Sequence, residues 1–298
     1  MPKVDIIVPA YNASNFLSEA LQSVLAQTFT DWRILLVDDG STDNTLEIAR
    51  TFEQQCGPKI KIISQENRGL SAARNAALQH ASAEFIALLD ADDIWFPIRL
   101  EKSIASFEGR PEVGLSYGSI TYVDQQGMIN GTPKLESRNA EGWIARGIYT
   151  RALNLPCPTI TFRRVCIDKV GYFDETLRAA EDRDLWLRIS LQYQVVRIPE
   201  VIALYRTSSG SMSTDYNRML EAQRIFFKKH AGSPGCDPGA GRIALSSSYR
   251  ELSETLIVRG QQAEALKSLA KAFCLHPLGR RNWRNAAALL ARWFHIRG

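Results

Sequence analysis

FIALLDADDIW, residues 85–95, decides the fold: five consecutive apolar residues, Phe85 to Leu89, stop at three carboxylates, Asp90, Asp92 and Asp93. An uninterrupted apolar run of that length suits a strand buried on both faces of a parallel sheet. Open parallel sheets bind ligands beyond the carboxyl ends of their strands, so the acids stand where a ligand belongs. Asp90 and Asp92 form an Asp-x-Asp pair. Two hard oxygen donors so close suit Mg²⁺ or Mn²⁺, ions that keep several waters and share phosphate oxygens with a substrate.

Working back towards the N-terminus, the same unit recurs. Val4 to Pro9 reads as a strand, followed by a turn over 10–13 and a helix from about Ser14, with Phe16, Ala20, Leu21 and Val24 at helical spacing. Trp32 to Val37 is a second strand, ending in Asp38-Asp39-Gly40-Ser41 ahead of a helix marked by Leu46, Ile48, Ala49 and Phe52. Ile60 to Ile63 is the third, followed by Gln65-Glu66-Asn67-Arg68-Gly69 and the alanine-rich helix Leu70 to His80. Strands alternating with helices predict right-handed crossovers and an α/β fold with a mostly parallel central sheet. All the intervening loops then lie at one edge. There Tyr11 offers a plane on which a base can stack, Asp39 an acceptor for a nucleobase N–H or ribose hydroxyl, and Asn67 and Arg74 further polar contacts. Neither G-x-G-x-x-G nor G-x-x-x-x-G-K-[ST] follows the first strand, so dinucleotide and P-loop recognition are not indicated.

VDIIVPAYN, SVLAQTFTDWRILLVDDGSTD, NRGLSAARN and FIALLDADD, in this order, resemble a family 2 glycosyltransferase of the GT-A fold, over about the first 210 residues. The resemblance implies that Pro9, Tyr11 and Asp39 hold the nucleoside, usually uridine, helped by Asn67 and Arg74. It implies that Asp90 and Asp92 are the metal pair for Mn²⁺ or Mg²⁺, with Asp92 the closer ligand and Asp90 nearer the ribose, and Asp93 just behind them.

Beyond the acids, strands are expected near 114–117 and 120–123, and a helix around 140–153, the region where acceptor specificity should reside. Pro156-Cys157-Pro158 leads to a strand over 159–162 and a short helix over 164–170. Cys157 reads as a buried packing residue, its nearest histidines being His80 and His230. EDRDLWLR, residues 181–188, reads as a helix beginning at its acids, where carboxylates complement the helix dipole. Matched to the family's Glu-Asp motif, it implies Asp182 as the base that deprotonates the acceptor and Glu181 as a sugar or acceptor contact. Like charge from Glu181 and Asp184 should push Asp182 upward, while the helix N-terminus opposes this. After strands over 195–198 and 201–205, the loop 206–213 resembles the family's lid, in which Arg206 would contact the diphosphate. Where many relatives carry a histidine, this chain has Ser208.

The 298 residues carry a net charge of +4. The charge is uneven: residues 215–298 hold 14 basic against 6 acidic side chains, leaving 22 against 26 before them. This supports two parts, a catalytic domain over 1–214 and a helical region over 215–298, the latter with a Gly/Pro-rich linker at 231–241 and one tetratricopeptide-like hairpin broken at Arg259-Gly260. The last stretch, 280–298, has five arginines and no acids. It can pack on the hairpin, the preferred reading, or lie on an anionic membrane as a peripheral contact. Its aromatics do not interleave with a basic sheet face, so nucleic acid is not expected. Five widely spaced cysteines without a C-x-x-C pair fit a reducing, cytoplasmic setting, and no window reaches the roughly 18 apolar residues of a spanning helix.

The expected reaction is inverting transfer of one sugar from a nucleotide-diphospho-sugar, a UDP-sugar for preference, to a hydroxyl of a saccharide or lipid-linked saccharide. Absence of Q-x-x-R-W and of spanning segments argues against a processive synthase. Two alternatives stay open: an inactive glycosyltransferase-like scaffold, and a sugar nucleotidyltransferase, which would show a Gly-rich, lysine-bearing first loop.

Overall fold

In the computed structural model, which describes residues 1–131, 140–207 and 215–286, strand and helix alternate as the apolar periodicity requires. β1 (Val4–Ala10), α1 (Leu17–Leu25), β2 (Trp32–Asp39), α2 (Thr45–Cys56), β3 (Ile60–Gln65), α3 (Leu70–His80) and β4 (Phe85–Leu88) make the first half. Then come β5 (Ile94–Trp95), α4 (Arg99–Ala105), β6 (Val113–Val123), α5 (Ala145–Tyr149), β7 (Thr161–Arg163), α6 (Val165–Val170), α7 (Glu181–Ser190) and β8 (Gln194–Arg206). The helices α8 (Tyr216–His230), α9 (Pro238–Val258) and α10 (Gln262–Leu275) follow.

The eight strands form one sheet in the order β3-β2-β1-β4-β7-β6-β8-β5. β3, β2, β1 and β4 are mutually parallel; the apolar side chains of β2, β1 and β4 are buried on both faces, whereas Ile62 and Ile63 of the edge strand β3 are half-buried. β7 is antiparallel to β4 and to β6, and β8 runs parallel to β6. This geometry brings the C-terminal ends of β1, β2, β4, β6 and β8 and the start of β7 to one edge, which is where the acids lie.

Two expected strand pairs are each a single strand. β6 and β8 run unbroken through an irregularity: Tyr117 pairs with Arg197 and Ser119 with Val201, so β8 spends two extra residues where Pro199 lacks a donor for the ladder. The helix expected over 140–153 shrinks to five residues, because Gly142 instead exchanges backbone hydrogen bonds with Val195.

The chain divides into two compact units, Met1–Ile148 with Leu153–Ser211, and Tyr149–Ala152 with Met212–Gly298. In the second unit α9 and α10 form the hairpin, and Tyr149 packs edge-on against Phe227 at 5.4 Å. The stretch 231–241, expected as a linker, is a tight turn: Cys236 is buried, and α9 starts at Pro238 behind the Asp237 cap, which accepts from the Ala240 N–H. Asp at the cap and Pro in the first helical position are a strong start signal, so the helix begins inside the Gly/Pro-rich run.

Candidate active site

Where β4 runs out, Asp90 accepts the Asp93 N–H in a tight turn, and the three carboxylates fan out from it. Arg74 on α3 is fully buried beneath them. One of its terminal nitrogens donates to Asp90 at 2.7 Å and lies 3.2 Å from the Cys157 sulfur, and the other donates to Glu181 at 3.0 Å. Phe173 covers the guanidinium at 5.3 Å. One cation thus joins the Asp-x-Asp loop to the first residue of α7. Burial works against its charge, yet Asp90, Cys157 and Glu181 more than offset this, and its pKa rises well above the ordinary value.

Asp182 follows at the start of α7, partly exposed, with one carboxylate oxygen accepting the Arg183 N–H at 2.6 Å. Ala180 takes a left-handed conformation immediately before, turning the chain so that the helix starts on Glu181 and Asp182. Burial, and then the neighbouring Asp182 carboxylate, push Glu181 up to about 7, with Arg74 opposing.

Burial followed by Asp90 lifts Asp92 to about 6, against a restraining Arg206. Asp93 is driven well above the carboxylate range by burial, then by Asp92 and Asp90, and its Oδ2 is buried without a hydrogen-bond partner. Three carboxylates within four residues, of which Asp90 is ion-paired with Arg74, fit a divalent cation. Among the described residues no three His, Cys, Asp or Glu side chains converge as a closed cage. The donor set therefore fits an ion held by one or two carboxylates and completed by phosphate oxygens and water, the usual manner for Mg²⁺.

Arg206, expected to contact the diphosphate, is committed to protein partners. As the last residue of β8 it is 3% exposed. Its Nε donates to the Asp92 carbonyl at 2.9 Å, one terminal nitrogen to the carbonyls of Asp124 and Gln125, and the other to Glu19. Its backbone N–H donates to Asp93, and the guanidinium sits 4.7 Å from the Phe16 ring. Those partners occupy every guanidinium nitrogen, so Arg206 braces the acid loop from behind. Ser208 lies outside the described residues.

At the neighbouring strand ends Tyr11 is 52% exposed. Its loop is knitted to the next: Asn12 N–H donates to Ser41, Thr42 N–H to Asn12, and Ser14 N–H to Asp43. Pro9 is buried within β1. Asp39 is buried and already accepts from Gln65 at 2.7 Å and from the Arg68 and Gly69 backbone at 2.9 and 2.8 Å. A carboxylate has about four lone-pair sites, so one direction remains beyond this anchoring. Asn67 is exposed, and Gly40, at φ +74°, passes so close that a Cβ there would meet the Asn67 nitrogen at 2.7 Å.

Periodicity and motif spacing gave no sign of Glu19, Gln65 or Arg99. Arg99 is buried, with no carboxylate partner among the described residues, and lowered to about 9 by burial. It donates to Thr161 at 2.7 Å and lies 4.0 Å from the Trp95 ring, whose N–H donates to the Pro158 carbonyl. Together they fix the turn that carries Cys157 against Arg74. Cys157 is buried, as its packing role requires.

Comparison with known proteins agrees with this arrangement. Residues 5–167 match the family model "Glycosyl transferase family 2". The chain is 30% identical over 223 residues to WfgD of Escherichia coli, a UDP-Glc:alpha-D-GlcNAc-diphosphoundecaprenol beta-1,3-glucosyltransferase, covering 74% of this chain and 83% of that protein. It is 42% identical over 180 residues to an uncharacterized glycosyltransferase of Nostoc sp., 58% of this chain and about half, 54%, of the relative. S. aureus TarS 1-349 in complex with UDP-GlcNAc shares the fold, with a TM-score of 0.68 at 21% identity over 92% of this chain and 81% of that one. With a parallel strand–helix sheet ending in an Asp-x-Asp turn, an acid-led helix tied to it, and a family match over residues 5–167 that covers more than half of it, the chain belongs to glycosyl transferase family 2.

Proposed function

We propose that this enzyme transfers one sugar from a nucleotide-diphospho-sugar, preferentially a UDP-sugar, to a hydroxyl of a saccharide or lipid-linked saccharide acceptor, with inversion, in surface polysaccharide or glycolipid assembly. The observation that carries this reading is the Arg74 bridge, which draws Asp90 and Glu181 to one guanidinium. Two carboxylate groups distant in sequence are what a single displacement needs, one beside the leaving diphosphate and one beside the attacking hydroxyl. WfgD, whose name specifies a UDP-sugar donor and a lipid-diphosphate acceptor, supports the substrate classes.

Asp182 accepts the acceptor's proton as the acceptor oxygen bonds to the anomeric carbon and the bond to the diphosphate breaks. Glu181, fixed by Arg74, contacts the sugar or acceptor. Tyr11 stacks on the base, and Pro9, Asp39 and Asn67 shape the nucleoside end, with Asp39 keeping Gln65–Gly69 in position. Asp92 and Asp90 would hold Mn²⁺ or Mg²⁺, which supplies positive charge to the departing diphosphate. The five free cysteines support a cytoplasmic setting, and no described helix is long and apolar enough to cross a membrane.

The test is a thermal-shift panel of nucleotide sugars with and without Mn²⁺, followed by turnover of the Asp182→Asn variant. A UDP-sugar should raise the melting point, and the variant should bind donor while losing turnover about 10²- to 10⁴-fold. Sugar transfer retained by Asp182→Asn removes its role as base.

A further inference from the structure

The final described helix, residues 280–286, is arranged inside out. Its inward position is the polar Asn282, 3% exposed, whose amide nitrogen lies within 3.1–3.2 Å of Ser246 Oγ and the carbonyls of Ala272 and His276. Four residues on, the small Ala286 packs towards the α9–α10 core. Trp283, the large apolar residue of the turn, points outward and is 62% exposed. Its indole is held rather than loose: Nε1 donates to the Pro277 carbonyl at 3.1 Å, and the ring meets Phe273 edge-on at 4.8 Å. Leu278, five residues earlier and next to the Pro277 whose carbonyl accepts from the indole, is 86% exposed. A helix that served only to cover the hairpin would bury its tryptophan and expose its asparagine, since indole is among the largest apolar surfaces a chain can remove from water.

The charges this segment itself carries are nearly all of one sign, while Glu254 of α9, which accepts from Asn285, is paired with Arg250. Arg280, Arg281 and Arg284 are all exposed on the same turns. From Gln262 to Gly298 the only acid is Glu264, against two lysines and five arginines. An ordered indole and an exposed leucine framed by arginines match the boundary of an anionic bilayer, where tryptophan sits at headgroup depth and cations meet lipid phosphates.

We infer that Trp283, Leu278 and the arginines at 280, 281 and 284 form a docking surface for an anionic lipid bilayer. This surface stands independently of the sugar-transfer reading, and its physical basis is the inverted burial of Asn282 and Trp283 with charge complementarity around them.

Flotation of the full chain with phosphatidylcholine vesicles, with or without phosphatidylglycerol, tests it. The protein should float only with the anionic vesicles, and less as salt is raised. Replacing the three arginines by glutamine should weaken binding on the order of a hundredfold, since each cation contributes about fivefold near an anionic surface. Trp283→Ala with Leu278→Ala should also release the protein, with only a small fall in melting point from the lost Phe273 contact. Brominated lipid should quench tryptophan emission in the parent chain and much less in Trp283→Phe. Equal flotation with neutral vesicles, full binding by the arginine variant, quenching unaltered in Trp283→Phe, or a lipid-free dimer that the Trp283→Ala and Leu278→Ala pair dissociates would each overturn the assignment.

Discussion

Single side chains set the energetics of the acid loop. Asp92 binds its proton more tightly folded than unfolded, its pKa rising from the ordinary 3.8 to about 6. A raised carboxylate contributes stability in full below the unfolded value, and that contribution disappears as pH climbs through the folded one. Without metal the protein should therefore melt higher at pH 5.5 than at pH 7.5, and Asp92→Asn should raise the pH 7.5 melting point by a few degrees, about 1–3 kcal/mol. Scanning calorimetry of both chains across that range checks it; a lower melting point for Asp92→Asn at pH 7.5 would contradict the shift. Asp92→Ala should also abolish Mn²⁺-dependent UDP binding in titration calorimetry. Arg206 offers a second test. Arg206→Met strands the carbonyls of Asp92, Asp124 and Gln125 and should cost about 2–4 kcal/mol of stability. If Arg206 instead contacted only the diphosphate, donor affinity would fall with the melting point untouched. The acids were legible in the sequence because an apolar run cannot end in three carboxylates without a reason. The bracing partners were not, because Glu19 stands far before those acids in sequence, and neither it nor Arg99, six residues after Asp93, carries a motif.

At the level of elements, the four parallel strands and α3 follow directly from apolar runs and helical spacing, and α7 starts on Glu181 as its first-turn acids imply. The merged strands and the shortened α5 share one cause, a long-range backbone partner. Gly142 pairs with Val195, so α5 is short, and the β6–β8 ladder carries both strands past Pro199. Nothing local to those stretches encodes the partner. The loop-to-loop packing at the strand ends yields its own prediction. Gly40→Ala would place a Cβ 2.7 Å from the Asn67 nitrogen at a positive φ, displacing the Gln65–Gly69 loop that Asp39 anchors. A loss of about 1–3 kcal/mol is expected, with weaker UDP binding by calorimetry. Unchanged values for both would show that the loop adapts freely.

Across the whole molecule, what sequence reading could supply was the class of fold and the edge of the sheet where the acids gather; what it could not supply was how the halves of that edge are joined. A UDP-sugar with Mn²⁺ at a hundredfold excess over its dissociation constant should stabilise the native chain by about 2.7 kcal/mol, or roughly 5–10 °C. A thermal-shift titration reads this directly, and no shift with any nucleotide sugar would count against the donor class. Arg74 meanwhile has a bearing on engineering. Because a single guanidinium serves Asp90 and Glu181 together, a chimera that borrows its donor-side segment from one relative and its acceptor-side segment from another inherits a charge mismatch unless the arginine and both its carboxylates travel as a set. Swapping specificity in this scaffold is therefore a three-residue graft, even when the new sugar touches only one of them.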